Sequence, residues 1–142
     1  MKNKIEYIIL DNKSLIIESY IGNFKVDELI EFKVKVSNDK IYDPNFNVIH
    51  DFRKLEFLFG IEEISKYINL ISKNSKLLGN RKSVMITETP NQVVTSMGFD
   101  LLKNNLPIQV NVCSTLENAF NFINLPKEDW KFIESLVNSL KD

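Results

Sequence analysis

At 142 residues and 16.5 kDa the chain has the size of one domain, and 44% hydrophobic with 26% charged residues is the composition of an ordinary globular fold. Eighteen Lys and Arg against 19 Asp and Glu leave a formal charge of −1, which argues against a general nucleic-acid binder, since those carry a basic stripe. One cysteine, Cys113, excludes an internal disulfide and a Cys-based zinc site, and one histidine, His50, excludes every two-His metal motif.

The N-terminus runs from Met1-Lys2-Asn3-Lys4 straight into strand-like residues. The apolar stretch Ile5–Leu10 is interrupted by Glu6 and Tyr7 and stopped by Asp11-Asn12-Lys13, so it lacks the long apolar core and small-residue cleavage site of a secretory signal. No window approaches the ~20 apolar residues of a membrane span. With a lone thiol, the expectation is a cytoplasmic protein without a membrane span.

Ile5–Leu10 and Leu15–Ile21 read as a β-hairpin about the turn formers Asp11-Asn12-Lys13-Ser14. Val26–Val36 follows with Val26, Leu29, Ile30 and Phe32/Lys33 at helical spacing, and Asp27 and Glu28 in its first turn favour the positive end of the helix dipole. Asp43-Pro44-Asn45 is a turn, and Asn47–Phe52 is a short apolar strand.

After an apolar stretch containing Phe57, Leu58, Phe59 and Gly60, the residues Ile61, Ile64, Ile68 and Ile71 repeat at helical spacing, with Gly79-Asn80 as the expected C-cap. Ser83–Thr87 is the next strand. Thr89-Pro90-Asn91-Gln92 then has the residues of a capping box with proline at the first helical position, and Asn104-Asn105 and Pro107 end that helix. Ile108–Cys113 is the last strand. Ser114-Thr115-Leu116-Glu117 is a second capping box with Ser114 as the expected cap, and Pro126 opens a final helix striped with Trp130, Ile133, Leu136, Val137 and Leu140.

The order β-β-α-β-α-β-α-β-α-α predicts an α/β fold, a mixed, largely parallel five-stranded sheet flanked by helices. Residues 1–142 form one domain, in which 126–142 supply an additional C-terminal helix.

Over about residues 5 to 125 the sequence resembles the SpoIIAA-like group, relatives of the STAS domains of bacterial anti-sigma factor antagonists. The resemblance rests on the element order, on Tyr20-Ile21-Gly22 and Asp43-Pro44-Asn45-Phe46, and on Val48-Ile49-His50-Asp51-Phe52-Arg53. Leu106-Pro107-Ile108-Gln109-Val110 and Glu117-Asn118-Ala119-Phe120 also fit. It implies a partner-binding regulatory module with a phosphorylatable serine at the start of the second main helix, in a pattern near Asp-Ser-Ser-Gly. The chain reads Leu58-Phe59-Gly60-Ile61-Glu62 there, with no hydroxyl. The phosphoserine switch is therefore not carried over. Sec14-like lipid-binding domains share the general fold, which at the level of analogy adds a ligand-carrier alternative.

His50-Asp51-Phe52-Arg53 lies where a parallel strand ends at the crevice that commonly binds ligands. Alternation puts Asp51 and Arg53 on one side, either to grip an anion or simply to fix the loop as an ion pair. Thr87-Glu88-Thr89 closes the neighbouring strand beside them. A single histidine without a nearby nucleophile reads as a partly buried spacer, and Cys113 as a small core residue. Glycine-rich phosphate loops, a G-x-S-x-G elbow and metal-spaced acidic patterns are absent from the sequence. Phe57-Leu58-Phe59 cannot all face inward on a regular element, which suggests an apolar contact patch.

The expected function is thus a non-enzymatic protein-interaction module without cofactor or metal. Its working surface is expected at Asp51, Arg53, Phe57, Phe59, Gly60 and Glu88, facing an unidentified protein partner. Self-association through the Trp130 helix is a further expectation, beside docking of that helix within the monomer. The alternatives are a carrier of a small apolar or amphipathic, lipid-like ligand near Phe57 and Phe59, and an enzyme using Asp51 and Arg53 on an anionic substrate.

Overall fold

β-Branched and aromatic residues crowd the first two extended segments, β1 (Lys4–Leu10) and β2 (Leu15–Phe24), and suit a pleated, largely buried surface. The two pair antiparallel, Leu10 opposite Leu15 and Lys4 opposite Ile21, around a 3-10 turn at Asp11–Lys13. Helices and strands then alternate as α1 (Val26–Ser37), β3 (Asn47–Phe57), α2 (Ile61–Ser72), β4 (Lys82–Ile86), α3 (Pro90–Leu102) and β5 (Gln109–Cys113). The chain ends with α4 (Leu116–Phe122) and α5 (Trp130–Leu140). This computed structural model describes residues 2–103 and 106–141.

The sheet order is β1-β2-β3-β4-β5, and every pair after the first is parallel. Strands added in sequence order through right-handed crossovers place all the crossover helices on the same face. Accordingly α1, α2 and α3 cover the side presenting Ile16, Tyr20, Val48, Phe52 and Met85. The opposite face presents Leu15, Ile17, Ile49, Val84 and Ile86, and Phe120 of α4 with Ile133 and Val137 of α5 close it. The C-terminal helix is therefore part of the core. Among the described residues no helix is long and apolar enough to cross a membrane.

The element order, the mixed sheet and its largely parallel character are those expected from the sequence. Boundaries differ where local signals mislead. β3 continues five residues beyond Phe52, because a register shift opposite Ser19–Ile21 inserts one extra residue and turns Leu55 and Phe57 back to the face already used by Phe52. The Arg53-Lys54 pair disguises that continuation.

Gly79 is not a helix cap: α2 ends at Ser72 with Lys73 as C-cap. Glycine is needed there because a Cβ would lie 2.3 Å from the Pro44 carbonyl oxygen. Thr115 caps α4 instead of Ser114, its side chain accepting from the Asn118 amide at 3.1 Å. A 3-10 turn at Lys127–Asp129 separates Pro126 from α5. The expected helix stop at Asn104-Asn105 lies outside the described residues.

Candidate functional site

Alternation along β3 sends His50 and Phe52 toward α1–α3, and Ile49 and Asp51 toward α4 and α5. Asp51 is buried, and both its carboxylate oxygens are occupied. Oδ1 accepts from Arg53 Nε at 2.9 Å and from the Arg53 amide at 3.2 Å; Oδ2 accepts from Arg53 Nη2 at 3.0 Å and lies 3.5 Å from Lys141 Nζ. Asp51 and Arg53 thus form an ion pair that, through Lys141, ties the end of α5 to the sheet. The hydrogen bonds to Asp51 raise the Arg53 pKa, and the Glu88 charge acts in the same direction. Burial raises the Cys113 thiol pKa, opposed by a backbone hydrogen bond at Thr115 and by the Arg53 charge.

Phe57, Phe59 and Gly60 lie on the other side of the sheet, so the six expected residues do not form one surface. Phe57 is buried at 3% exposure and Phe59 is half-buried, its ring centroid 5.4 Å from that of Phe57. Leu58, between them, faces out at 50%. Gly60 begins α2, its amide donating to Glu63 Oε2 at 3.0 Å.

Other large apolar side chains are exposed on α2 and α3. Ile61 is 60% exposed at the start of α2, and Val94, Met97 and Leu101 of α3 are 70%, 52% and 74% exposed. The expected capping box holds α3 in place: the Gln92 amide donates to Thr89 Oγ1 at 3.3 Å, and Gln92 Oε1 accepts from the Thr89 amide at 3.0 Å. Gln92 Nε2 also donates to the Leu55 carbonyl at 2.7 Å, and the Asn91 side chain pairs with both backbone groups of Phe57. Between α2 and α3 runs an open groove of about 400 Å³, lined by Phe59, Ile61, Ile64, Pro90, Val94 and Gly98.

A second feature is internal. Glu18 of β2 stands between Ile16 and Tyr20 on the face under α1, and Lys33 reaches down to it from that helix. Lys33 Nζ donates to Glu18 Oε1 and also to His50 Nε2 at 2.9 Å, while Tyr20 donates to Glu18 Oε1 at 2.6 Å. Because the Val84 carbonyl can only accept, its 3.1 Å contact fixes the hydrogen on His50 Nδ1 and leaves Nε2 as the acceptor.

Burial drives the His50 pKa down to about 3, with the Lys33 charge acting in the same direction. Burial opposes the charge on Glu18 too, but the Lys33 charge and the hydrogen bonds from Lys33 and Tyr20 outweigh it and hold the carboxyl below its ordinary value. Burial lowers Lys33 against the pull of Glu18. The result is a buried ion pair beside a neutral imidazole, next to a cavity of about 80 Å³ that these residues share with Tyr42, Tyr67 and Arg81.

Sequence reasoning passed over Glu18, Tyr20, Lys33 and Arg81. The available signals were a carboxylate on the apolar alternation Ile16-Glu18-Tyr20, and a lysine on the apolar stripe of the first helix. His50 is fully buried within this network. The Trp130 stripe is satisfied inside the chain: Trp130 Nε1 donates to the Leu125 carbonyl at 2.9 Å, and its ring lies 5.4 Å from Phe120.

No protein-family model matches the chain, and no curated protein matches it in sequence. Among solved structures it is similar to an uncharacterized protein of the DUF3478 family with a SpoIIAA-like fold from Shewanella loihica PV-4. That likeness has a TM-score of 0.56 at 11% identity and covers 87% of this chain and 96% of the other. A likeness at this identity concerns the fold alone: the chain has a SpoIIAA-like fold.

Proposed function

We propose that this protein is a non-enzymatic interaction module of the cytoplasm whose docking surface is the exposed apolar face of α3 and the start of α2. The observation that carries the reading is the exposure of Ile61 and Val94 in the α2–α3 groove, with Met97 and Leu101 exposed further along α3 and Leu58 exposed ahead of α2, since large apolar residues exposed together mark contact sites. Glu62, in the first turn of α2 beside Ile61, is an exposed carboxylate at this face. Two copies meeting there would bring like charges together, so the preferred occupant is an amphipathic partner segment with apolar anchors and basic flanks. The phosphoserine switch is left out of this reading because Leu58–Glu62 carry no hydroxyl.

The lipid-like carrier reading is less well supported. The internal cavity has an aromatic lining, but its volume of about 80 Å³ is well below the ~300–1,000 Å³ of sites for larger ligands.

Titration of the isotopically labelled protein with a Leu/Lys amphipathic helical peptide tests the proposal. Amide shifts should concentrate at 58–61 and 90–102, and a Leu/Glu peptide of the same pattern should leave them in place. Shifts spread over α4 and α5, or equal response to both peptides, would count against it.

A further inference from the structure

The internal cavity is a site separate from the α2–α3 groove, and its wall chemistry is specific. Three cationic side chains, Lys33, Arg81 and Lys103, line it with one carboxylate, Glu18, and one neutral histidine; Lys103 is paired with Asp100 at 3.6 Å. Arg81 Nη2 donates to Tyr42 Oη at 3.3 Å and to the Asp43 carbonyl at 2.9 Å, but its buried Nε–H has no partner among the described residues. Unpaired buried donors are rare and costly. Lys33 has three N–H groups, of which Glu18 and His50 take two. Both side chains are donors only, so what completes them must accept hydrogen bonds, and the excess positive charge calls for an anion. The remaining wall, including Phe52, Ile68, Leu77, Met85 and Phe99, is apolar.

The size sets the class. A volume of about 80 Å³ is several times the ~10–15 Å³ that one water needs, and about half of the ~150 Å³ engineered cavity that takes benzene. We propose that this cavity is a binding site for a short-chain aliphatic monocarboxylate, its carboxylate held by Arg81 Nε and Lys33 and its tail against the apolar wall. The proposal does not rest on the docking face: the two sites share no lining residue, although α2 and α3 contribute different residues to each.

The test uses the full chain with butyrate and its neutral isostere butyramide at constant ionic strength. It reads affinity by calorimetry and location by the imidazole nitrogen resonances of His50, which are unambiguous because the chain has one histidine. Butyrate should bind at least tenfold more tightly than butyramide and shift the His50 resonances, and Arg81→Met should weaken butyrate by a similar factor. Equal affinity for acid and amide overturns the anion assignment. Undisturbed His50 resonances at saturating butyrate, or no binding of either compound, overturn the site. If Arg81→Met does not fold, the acid–amide comparison on the unaltered chain decides the question alone.

Discussion

Lys33 and His50 share a hydrogen bond between α1 and β3, Nζ to Nε2 at 2.9 Å, in which the ammonium donates and the imidazole accepts. Its direction is imposed from the far side of the ring, where Nδ1 donates to the Val84 carbonyl. A protonated ring would set two cations against each other in a buried site, so the imidazole stays neutral.

His50 should not titrate in the folded protein across the ordinary range of the side chain. Nitrogen shifts of the single imidazole are expected to stay constant from pH 8 to pH 5, with Nδ1 protonated. A midpoint near 6.5 would show that the ring is hydrated and the network open.

The same group makes stability fall in acid. The folded state keeps His50 neutral down to about pH 3, whereas the unfolded chain takes up that proton near 6.5. Between those values the unfolded state binds more protons, so each unit of acidification favours unfolding by up to about 1.4 kcal/mol from this group. Glu18, held below its ordinary value, adds to the loss once pH falls through the carboxylate range. Denaturant unfolding at pH 7, 6 and 5 should show this decline, and His50→Gln should flatten it above pH 5.

Removing one member of the buried ion pair should cost more than removing both. Glu18→Ala leaves Lys33 as an uncompensated charge, with a penalty of about 3–5 kcal/mol, whereas Glu18→Leu combined with Lys33→Met leaves only the neutral Tyr20 hydroxyl and His50 Nε2 without partners and should cost less. Urea midpoints of the two variants measure the difference. A double variant less stable than the single one would contradict the ion-pair account.

Asp51→Asn should loosen the C-terminal helix without unfolding the sheet. The substitution weakens the bidentate pair to Arg53 and the contact with Lys141, a loss of about 1–3 kcal/mol for charged hydrogen bonds. Hydrogen exchange should quicken in the last turns of α5 ahead of β3. Uniform acceleration, or none, would show that the pair does not hold the helix end.

The fold was legible because periodicity and capping agree with it locally. Thr89-Pro90-Asn91-Gln92 specified the start of α3, and the pairing of Asp51 with Arg53 followed from strand alternation. Two things were hidden. The bulge in β3 flips alternation after Phe52, so Phe57 points away from Asp51, and a surface assigned to the end of the sheet as a whole joined groups from opposite faces. The buried network was hidden because its members come from β2, α1, β3 and the approach to β4, and only the parallel pairing of Glu18 opposite His50 brings them together. On α3, Val94, Met97 and Leu101 have the spacing of a core stripe, yet the layer below is already filled by Gln92, Thr95, Ser96 and Gly98, so the apolar residues face out.

The most direct measurement is the peptide affinity of a chain carrying Val94→Asp and Leu101→Asp together, read by fluorescence anisotropy beside its unfolding midpoint. Both positions are exposed, so stability should stay within about 0.5 kcal/mol per site of the unaltered chain, while affinity for the Leu/Lys peptide drops at least tenfold. Unchanged affinity in a folded double variant would contradict the assignment of this face as the docking surface.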